Sequence, residues 1–227
     1  MKISKSLFIV LTILIILFFD QWLKIHIKTN FYYGQEEAIL GLSWARLHFV
    51  ENPGMAFGIE LGGISGKLAL SIFRIVAVFF LIYIIRSLVQ SKASKGLLFC
   101  FALILAGAIG NIIDSVIYGQ IFSATPFHGR TVAEMFPANG GYAPVLQGKV
   151  VDMLYFPLID TTLPAWLGGG NFRFFKPVFN IADAAISVGV ISLLLFYRSF
   201  FWGKEKEGDV DTENGLDQSV TKSDEEE

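Results

Sequence analysis

Residues 97–117 read LLFCFALILAGAIGNIIDSVI, an apolar run that carries an asparagine and an aspartate near its far end. A membrane-spanning helix needs about 20 largely apolar residues, and three further stretches reach that length: 6–27, 68–87 and 181–201. The 227 residues are 53% hydrophobic and 17% charged, with mean hydropathy +0.56. That balance suits a bilayer better than water. An all-α integral membrane protein with four transmembrane helices is expected.

The first stretch follows Lys2 and Lys5 and its apolar run continues to Phe19 with no small-residue cleavage site after it, so it reads as a retained anchor. Four spans put both ends of the chain on one side. The short connection from Arg86 to Lys95 holds Arg86, Lys92 and Lys95, and by the positive-inside rule it faces the cytoplasm. Lys2 and Lys5, and Arg198, Lys204 and Lys206, agree with that orientation.

Loops 28–67 and 118–180 then face outward. Both are too long for simple links and mix Gly, Pro and aromatics with strand-like runs such as Trp44 to Val50, so a small extracytoplasmic β-rich layer is expected from them. Residues 122–148 and Gly168 to Gly170 supply turns or a movable flap. The chain divides into a membrane domain, 1–203, and an acidic tail, 204–227, nearly free of apolar residues and expected to be a disordered cytoplasmic segment.

A net charge of −2 excludes a basic nucleic-acid binder, and one cysteine, Cys100, supports neither a disulfide nor a thiolate metal site within the chain. There is no internal repeat and no pair of interrupted spans of the kind transporters use.

A charged group in hydrocarbon is costly unless paired or wetted, so the polar residues at the span ends are the informative ones. Asp20 and Lys24 lie four apart on the first span, as an interfacial anchor or as part of a site. Glu51 and Asn52 open a turn-forming run that continues Pro53, Gly54, Met55, Ala56, Phe57 and Gly58. Gly107 and Gly110 allow close helix packing, and Asn111 and Asp114 stand one turn apart on one face. Arg74 sits at a depth similar to Asp114, which allows a contact between those two. Asp152 lies in an apolar setting in the second outer loop, readable as a strand-edge acid. Asp183 opens the last span behind Asn180, readable as a carboxylate stabilised by the helix dipole.

Other chemistries drop out. There is no His-Glu-x-x-His, no Gly-x-Ser-x-Gly and no Gly-rich phosphate loop, and His26, His48 and His128 are far apart. Carboxylates remain, with no metal or cofactor expected.

Asp20 with Lys24, Asn52 to Phe57, Gly107 to Asp114, Val151-Asp152, and Phe179-Asn180 with Ala182-Asp183 occur in this order on four apolar runs. Together they resemble the lipoprotein signal peptidase family, also called signal peptidase II, over about residues 10–200. The resemblance implies an aspartic endopeptidase of the bacterial inner membrane, with its site near the outer face. Such an enzyme cuts prolipoproteins on the amino side of a cysteine carrying diacylglycerol, among membrane lipids and as a monomer. It places the catalytic pair on Asp152 and Asp183 and supporting roles on Asn52, Gly54, Asn111, Asp114, Asn180, Asp20 and Lys24.

Two departures stand out. The family usually has Arg after its third-span Asp, where this chain has Ser115; Arg74 is the expected substitute. Asp152 and Asp183 are also 31 positions apart, longer than the family's usual interval, and the extra residues form a lid or decoration. A proton-coupled transporter would spread its acids across the bilayer rather than cluster them at one face. A non-catalytic anchoring protein would tolerate loss of either aspartate. A peptidase for unlipidated helices is the nearer alternative.

Overall fold

The computed structural model describes residues 3–53, 63–157, 159–162, 166, 169–174, 177–198 and 200. Gly54 and the acidic tail 204–227 lie outside the described residues. Helix α1 spans Lys5–Asn30 and starts at Ser4, whose hydroxyl accepts the Leu7 N–H, a serine N-cap. Helix α2 spans Gly63–Gln90. Ser94 caps α3 in the same way as Ser4 caps α1. Helix α3 runs over Lys95–Ile121, with a π-helical turn at Asp114–Tyr118. A π turn shifts the faces of the residues it holds; here it buries Asp114, Ser115 and Tyr118 together.

Helices α1, α2 from Ser65 onward, and α3 are long and apolar enough to cross a membrane. The fourth apolar run is shorter than expected: α4 spans Ile181–Phe196, 16 residues, about 24 Å at 1.5 Å per residue. It ends where Tyr197 leaves helical geometry. Helix α1 in turn runs past the expected 6–27, so Lys28 is helical rather than the first residue of a loop.

Helix α3 is the central element. Its Leu98, Phe101, Ala102, Leu105 and Ala106 are buried, and it packs on α1, α2 and α4. The α3–α4 approach depends on glycine. A Cβ at Gly107 would lie 2.2 Å from the Ala182 carbonyl oxygen, and one at Gly189 would lie 2.8 Å from that of Cys100. Phe18 and Trp22 of α1 and Phe73, Val76, Phe79 and Phe80 of α2 are exposed, an outward surface suited to hydrocarbon.

Four antiparallel strands form the sheet in the order β1 (Glu36–Ala38), β2 (Arg46–Asn52), β3 (Val150–Tyr155) and β6 (Val178–Phe179). Strand β2 pairs with β3 so that Val50 faces Asp152, Glu51 faces Val151 and Asn52 faces Val150. Strands β4 (Ile159–Thr162) and β5 (Asn171–Phe174) form a separate hairpin. That hairpin accounts for part of the long interval between Asp152 and Asp183. Beneath the sheet, Ile27, Phe31, Phe49, Phe122, Val151 and Met153 form a second apolar core.

Candidate active site

Strand β3 delivers Asp152, and β6 ends one residue before Asn180, the N-cap of α4. Pairing of Leu154 with Phe179 and of Tyr155 with Val178 brings the start of α4 alongside β3. Asn180 and Asp183 then form a reciprocal cap: Asn180 Oδ1 accepts the Asp183 N–H at 2.8 Å, and Asp183 Oδ2 accepts the Asn180 N–H at 3.4 Å. The capping box satisfies two otherwise orphaned donors. It also fixes the Asp183 carboxylate at the positive end of the α4 dipole.

The free side of the Asn180 amide reaches the other acid. Asn180 Nδ2 donates to Asp152 Oδ1 at 2.7 Å and to Asn111 Oδ1 at 3.1 Å. Asn111 Nδ2 donates to Asp183 Oδ1 at 2.8 Å. Two asparagines from α3 and the α4 cap therefore link the two aspartates in one hydrogen-bonded group.

Behind this group lies a buried ionic cluster. Lys24 Nζ stands 3.0 Å from Asp20 Oδ2 and 2.8 Å from Asp114 Oδ2, with all three side chains inaccessible to solvent, and it donates to Asn111 Oδ1 at 3.1 Å. Asp20 Oδ1 accepts the Ala182 N–H at 2.8 Å, and Asp114 Oδ2 accepts the Val151 N–H at 3.2 Å. Each carboxylate thus ties α1 or α3 to the backbone beside one of the two acids. A buried ion pair stabilises only when its remaining polar atoms are satisfied, and this one meets that condition.

Asp152 is 6% exposed. Burial, and next the negative charge of Asp183, push its carboxyl up to about 8, against the opposing pull of Lys24 and of the Asn180 hydrogen bond. Desolvation and a like charge both disfavour the ionised form.

Arg74 corrects one expectation. Its Nη1 donates to Ser115 Oγ at 3.4 Å, while the cation paired with Asp114 is Lys24. Ser115 Oγ in turn donates to the Asn111 carbonyl at 3.0 Å, and the guanidinium faces the charges of Asp183, Asp114 and Asp152. Asn52 ends β2 opposite Val150, two register positions from Asp152.

The sequence reading missed several participants. Gln21 Nε2 donates to Asp20 Oδ2 at 3.1 Å and to Asp114 Oδ1 at 3.0 Å, and Gln21 Oε1 accepts from Tyr118 OH at 3.1 Å. Lys28 is fully buried against Glu51, which also pairs with Lys149 at 2.8 Å. The spacing of Asp20, Lys24 and Lys28, four apart on one helical face, is the signal that could have found Lys28.

Comparison with known proteins identifies the family. The family model for signal peptidase (SPase) II matches residues 12–201. The chain is 51% identical over 189 residues to a lipoprotein signal peptidase of Porphyromonas gingivalis, covering 82% of this chain and 80% of that one. It is 38% identical over 185 residues to one of Amoebophilus asiaticus, covering 79% and 73%. A bacterial membrane enzyme solved by the in meso method at 2.3 Å resolution shares the fold with TM-score 0.56 at 23% identity, over 88% of this chain and 94% of that one. The family match over most of the chain and the apolar helices make this a bacterial membrane peptidase: the chain belongs to the signal peptidase II family.

Proposed function

We propose that the chain removes signal peptides from prolipoproteins as an aspartic endopeptidase, cutting on the amino side of a diacylglyceryl-modified cysteine with Asp152 and Asp183. The observation that carries this reading is the Asn180–Asn111 link between the two acids, one of them buried with its carboxyl pushed up to about 8. Such a pair supplies an acid and a base at one pH.

Asp183, at the α4 N-terminus, takes a proton from a water. The hydroxide adds to the scissile carbonyl carbon while Asp152 donates its proton toward the developing oxyanion. Collapse of the tetrahedral intermediate breaks the C–N bond, and the cysteine nitrogen leaves with a proton from the pair. Asn111 and Asn180 hold both carboxyls, and Lys24, Asp20 and Asp114 hold the asparagines and the neighbouring backbone. Arg74 replaces, from α2, the positive charge that the family carries at the position of Ser115.

The orientation that fits this chemistry puts both termini in the cytoplasm and the sheet and acids at the outer face of the inner membrane. The acyl chains of the substrate then stay in hydrocarbon while the scissile bond meets water. α4 completes a fourth crossing. Residues 1–203 form the enzyme domain, with Asn52 at its substrate side and the acidic tail outside it; Gly54, a supporting residue by family resemblance, lies outside the described residues.

The test is cleavage of a prolipoprotein with and without its diacylglyceryl group by wild type, Asp152→Asn and Asp183→Asn, each shown to fold in detergent. The reading expects cutting of the lipidated substrate alone and loss of several orders of magnitude in both variants. Near-normal turnover by either folded variant removes that residue from the mechanism.

A further inference from the structure

The six residues that lead into Asp152 are held from three sides. Leu146 lies in the left-handed region at φ 67°, uncommon for a residue with a Cβ, and its carbonyl accepts from Ser71 Oγ of α2 at 3.1 Å. The Gln147 carbonyl accepts from Lys67 Nζ, also of α2. The Gly148 N–H donates to the Ser115 carbonyl at 2.8 Å. Here a Cβ would lie 2.0 Å from the Asp114 carbonyl oxygen, so only glycine allows the approach. The Lys149 N–H donates to Tyr142 OH at 2.7 Å, and the Val151 N–H donates to Asp114.

A further tether in this segment is ionic. Glu51, 5% exposed, receives Lys28 Nζ on one carboxylate oxygen and Lys149 Nζ on the other, the latter at 2.8 Å. Lys28 also donates to Thr125 Oγ1 at 3.2 Å and lies 5.4 Å from the centre of the Phe122 ring and 5.1 Å from that of Tyr142. Burial alone would raise the Glu51 carboxyl, but the two lysines hold it below the usual carboxylate range, so it stays ionised. Since successive strand residues face opposite ways, Glu51 points away from the sheet face that Val50 shares with Asp152. It can affect the acid only through the strand.

We propose that Glu51 is a positioning residue for Asp152: by bridging Lys28 of α1 and Lys149 at the foot of β3, it sets where the strand bearing the acid lies against α1. The proposal rests on Asp152 acting in the reaction. Three buried or half-buried charges are not needed merely to fill space, because apolar residues of similar volume replace such groups at little or no loss of stability. What apolar residues do not supply is a directional link from α1 to β3.

The test uses the full chain in detergent and a lipidated prolipoprotein, comparing Lys149→Met, Lys149→Arg, Asp152→Asn and wild type. Lys149→Met leaves Glu51 paired with Lys28, so no buried charge is stranded. Its kcat is expected to fall about tenfold to a hundredfold through misplacement of the acid, with KM and melting temperature near those of wild type. Lys149→Arg, which keeps the charge, should recover most of the lost kcat. The proposal is overturned by a folded Lys149→Met enzyme with wild-type kcat, by one that changes KM instead, by failure of that variant to fold, or by an arginine variant as slow as the methionine one. If Asp152→Asn itself retains turnover, the aspartic mechanism is what fails, and that outcome is read separately from the lysine variants.

Discussion

Asn180 donates its side-chain amide to Asp152 Oδ1 at 2.7 Å, and the same amide group, through its oxygen, caps the helix that begins with Asp183. One residue thus serves folding and the proposed chemistry, and the two roles can be separated. Asn180→Ser retains an N-cap oxygen but no donor that reaches Asp152, whereas Asn180→Ala loses both. The alanine variant should lose about 1 kcal/mol of stability from the cap alone, read as a lower melting temperature in detergent, and the serine variant much less. Both should lose kcat by about a hundredfold, roughly 2.7 kcal/mol. A serine variant with wild-type turnover would leave Asn180 as a cap and nothing more.

The weakened acidity of Asp152 sets a pH limit. With its carboxyl pushed up to about 8 from an ordinary 3.8, the proton it donates is present below that value and lost above it. The kcat/KM profile should therefore fall on the alkaline side with a midpoint near 8, the binding groups remaining as they are. Stability carries the same sign. Between the two values the folded chain holds a proton that the unfolded chain has released, so this group's contribution declines as pH rises from about 4 to about 8 and is flat beyond. Asp152→Asn should remove that slope from a series of melting temperatures taken across pH, even though it is inactive.

Arg74 and Ser115 make a second separable pair, 3.4 Å apart. If the guanidinium of α2 does the work of the family's arginine, Arg74→Ala should lower kcat by about tenfold to a hundredfold, some 1.4–2.7 kcal/mol of charge stabilisation. Arg74→Ser combined with Ser115→Arg should recover part of it by moving the cation to the α3 position. An Arg74→Ala enzyme that folds and cuts normally would show that the chain needs no cation there. Turnover of the lipidated substrate under single-turnover conditions reads the chemical step directly.

Much of the site was readable before any coordinates. Asn111, Asp114, Asn180 and Asp183 stand in motifs where local spacing fixes which side chains share a face, and Asp20 and Lys24 are related by one helical turn. The structure brings all six and Asp152 into one hydrogen-bonded group. Lys24 rather than Arg74 is the direct ion-pair partner of Asp114, because depth along a helix sets a residue's height but not its azimuth: Arg74, at the same level, hydrogen-bonds Ser115. The Lys28–Glu51–Lys149 group was invisible for another reason. Its members lie on three separate elements, and Lys28 was counted as the first residue of a loop. The register of β2 on β3, which a bulge between Leu47 and Val50 shifts, had to be known before Glu51 and Lys149 could be seen as neighbours.

The glycines of α3 allow two uses, close packing or space for substrate, and a single methyl group distinguishes them. At Gly107 an added Cβ would meet the Ala182 carbonyl oxygen at 2.2 Å and Ile186 Cγ1 at 2.6 Å. The first of these is backbone and belongs to the opening turn of α4, one residue before Asp183, so it cannot swing aside as a side-chain end would. Gly107→Ala should therefore push α4 from α3, cost about 1–3 kcal/mol of overpacking and lower the melting temperature in detergent. The same displacement carries Asp183 away from Asn111, which holds it at 2.8 Å, so kcat should fall together with stability, and the alkaline midpoint of Asp152 should move down as the Asp183 charge that helps raise it recedes. Were the glycine there to leave room for substrate, the variant would instead fold as well as wild type and raise KM for the lipidated substrate with kcat unchanged. Melting temperature and the kcat-against-KM split on one purified variant decide between the two.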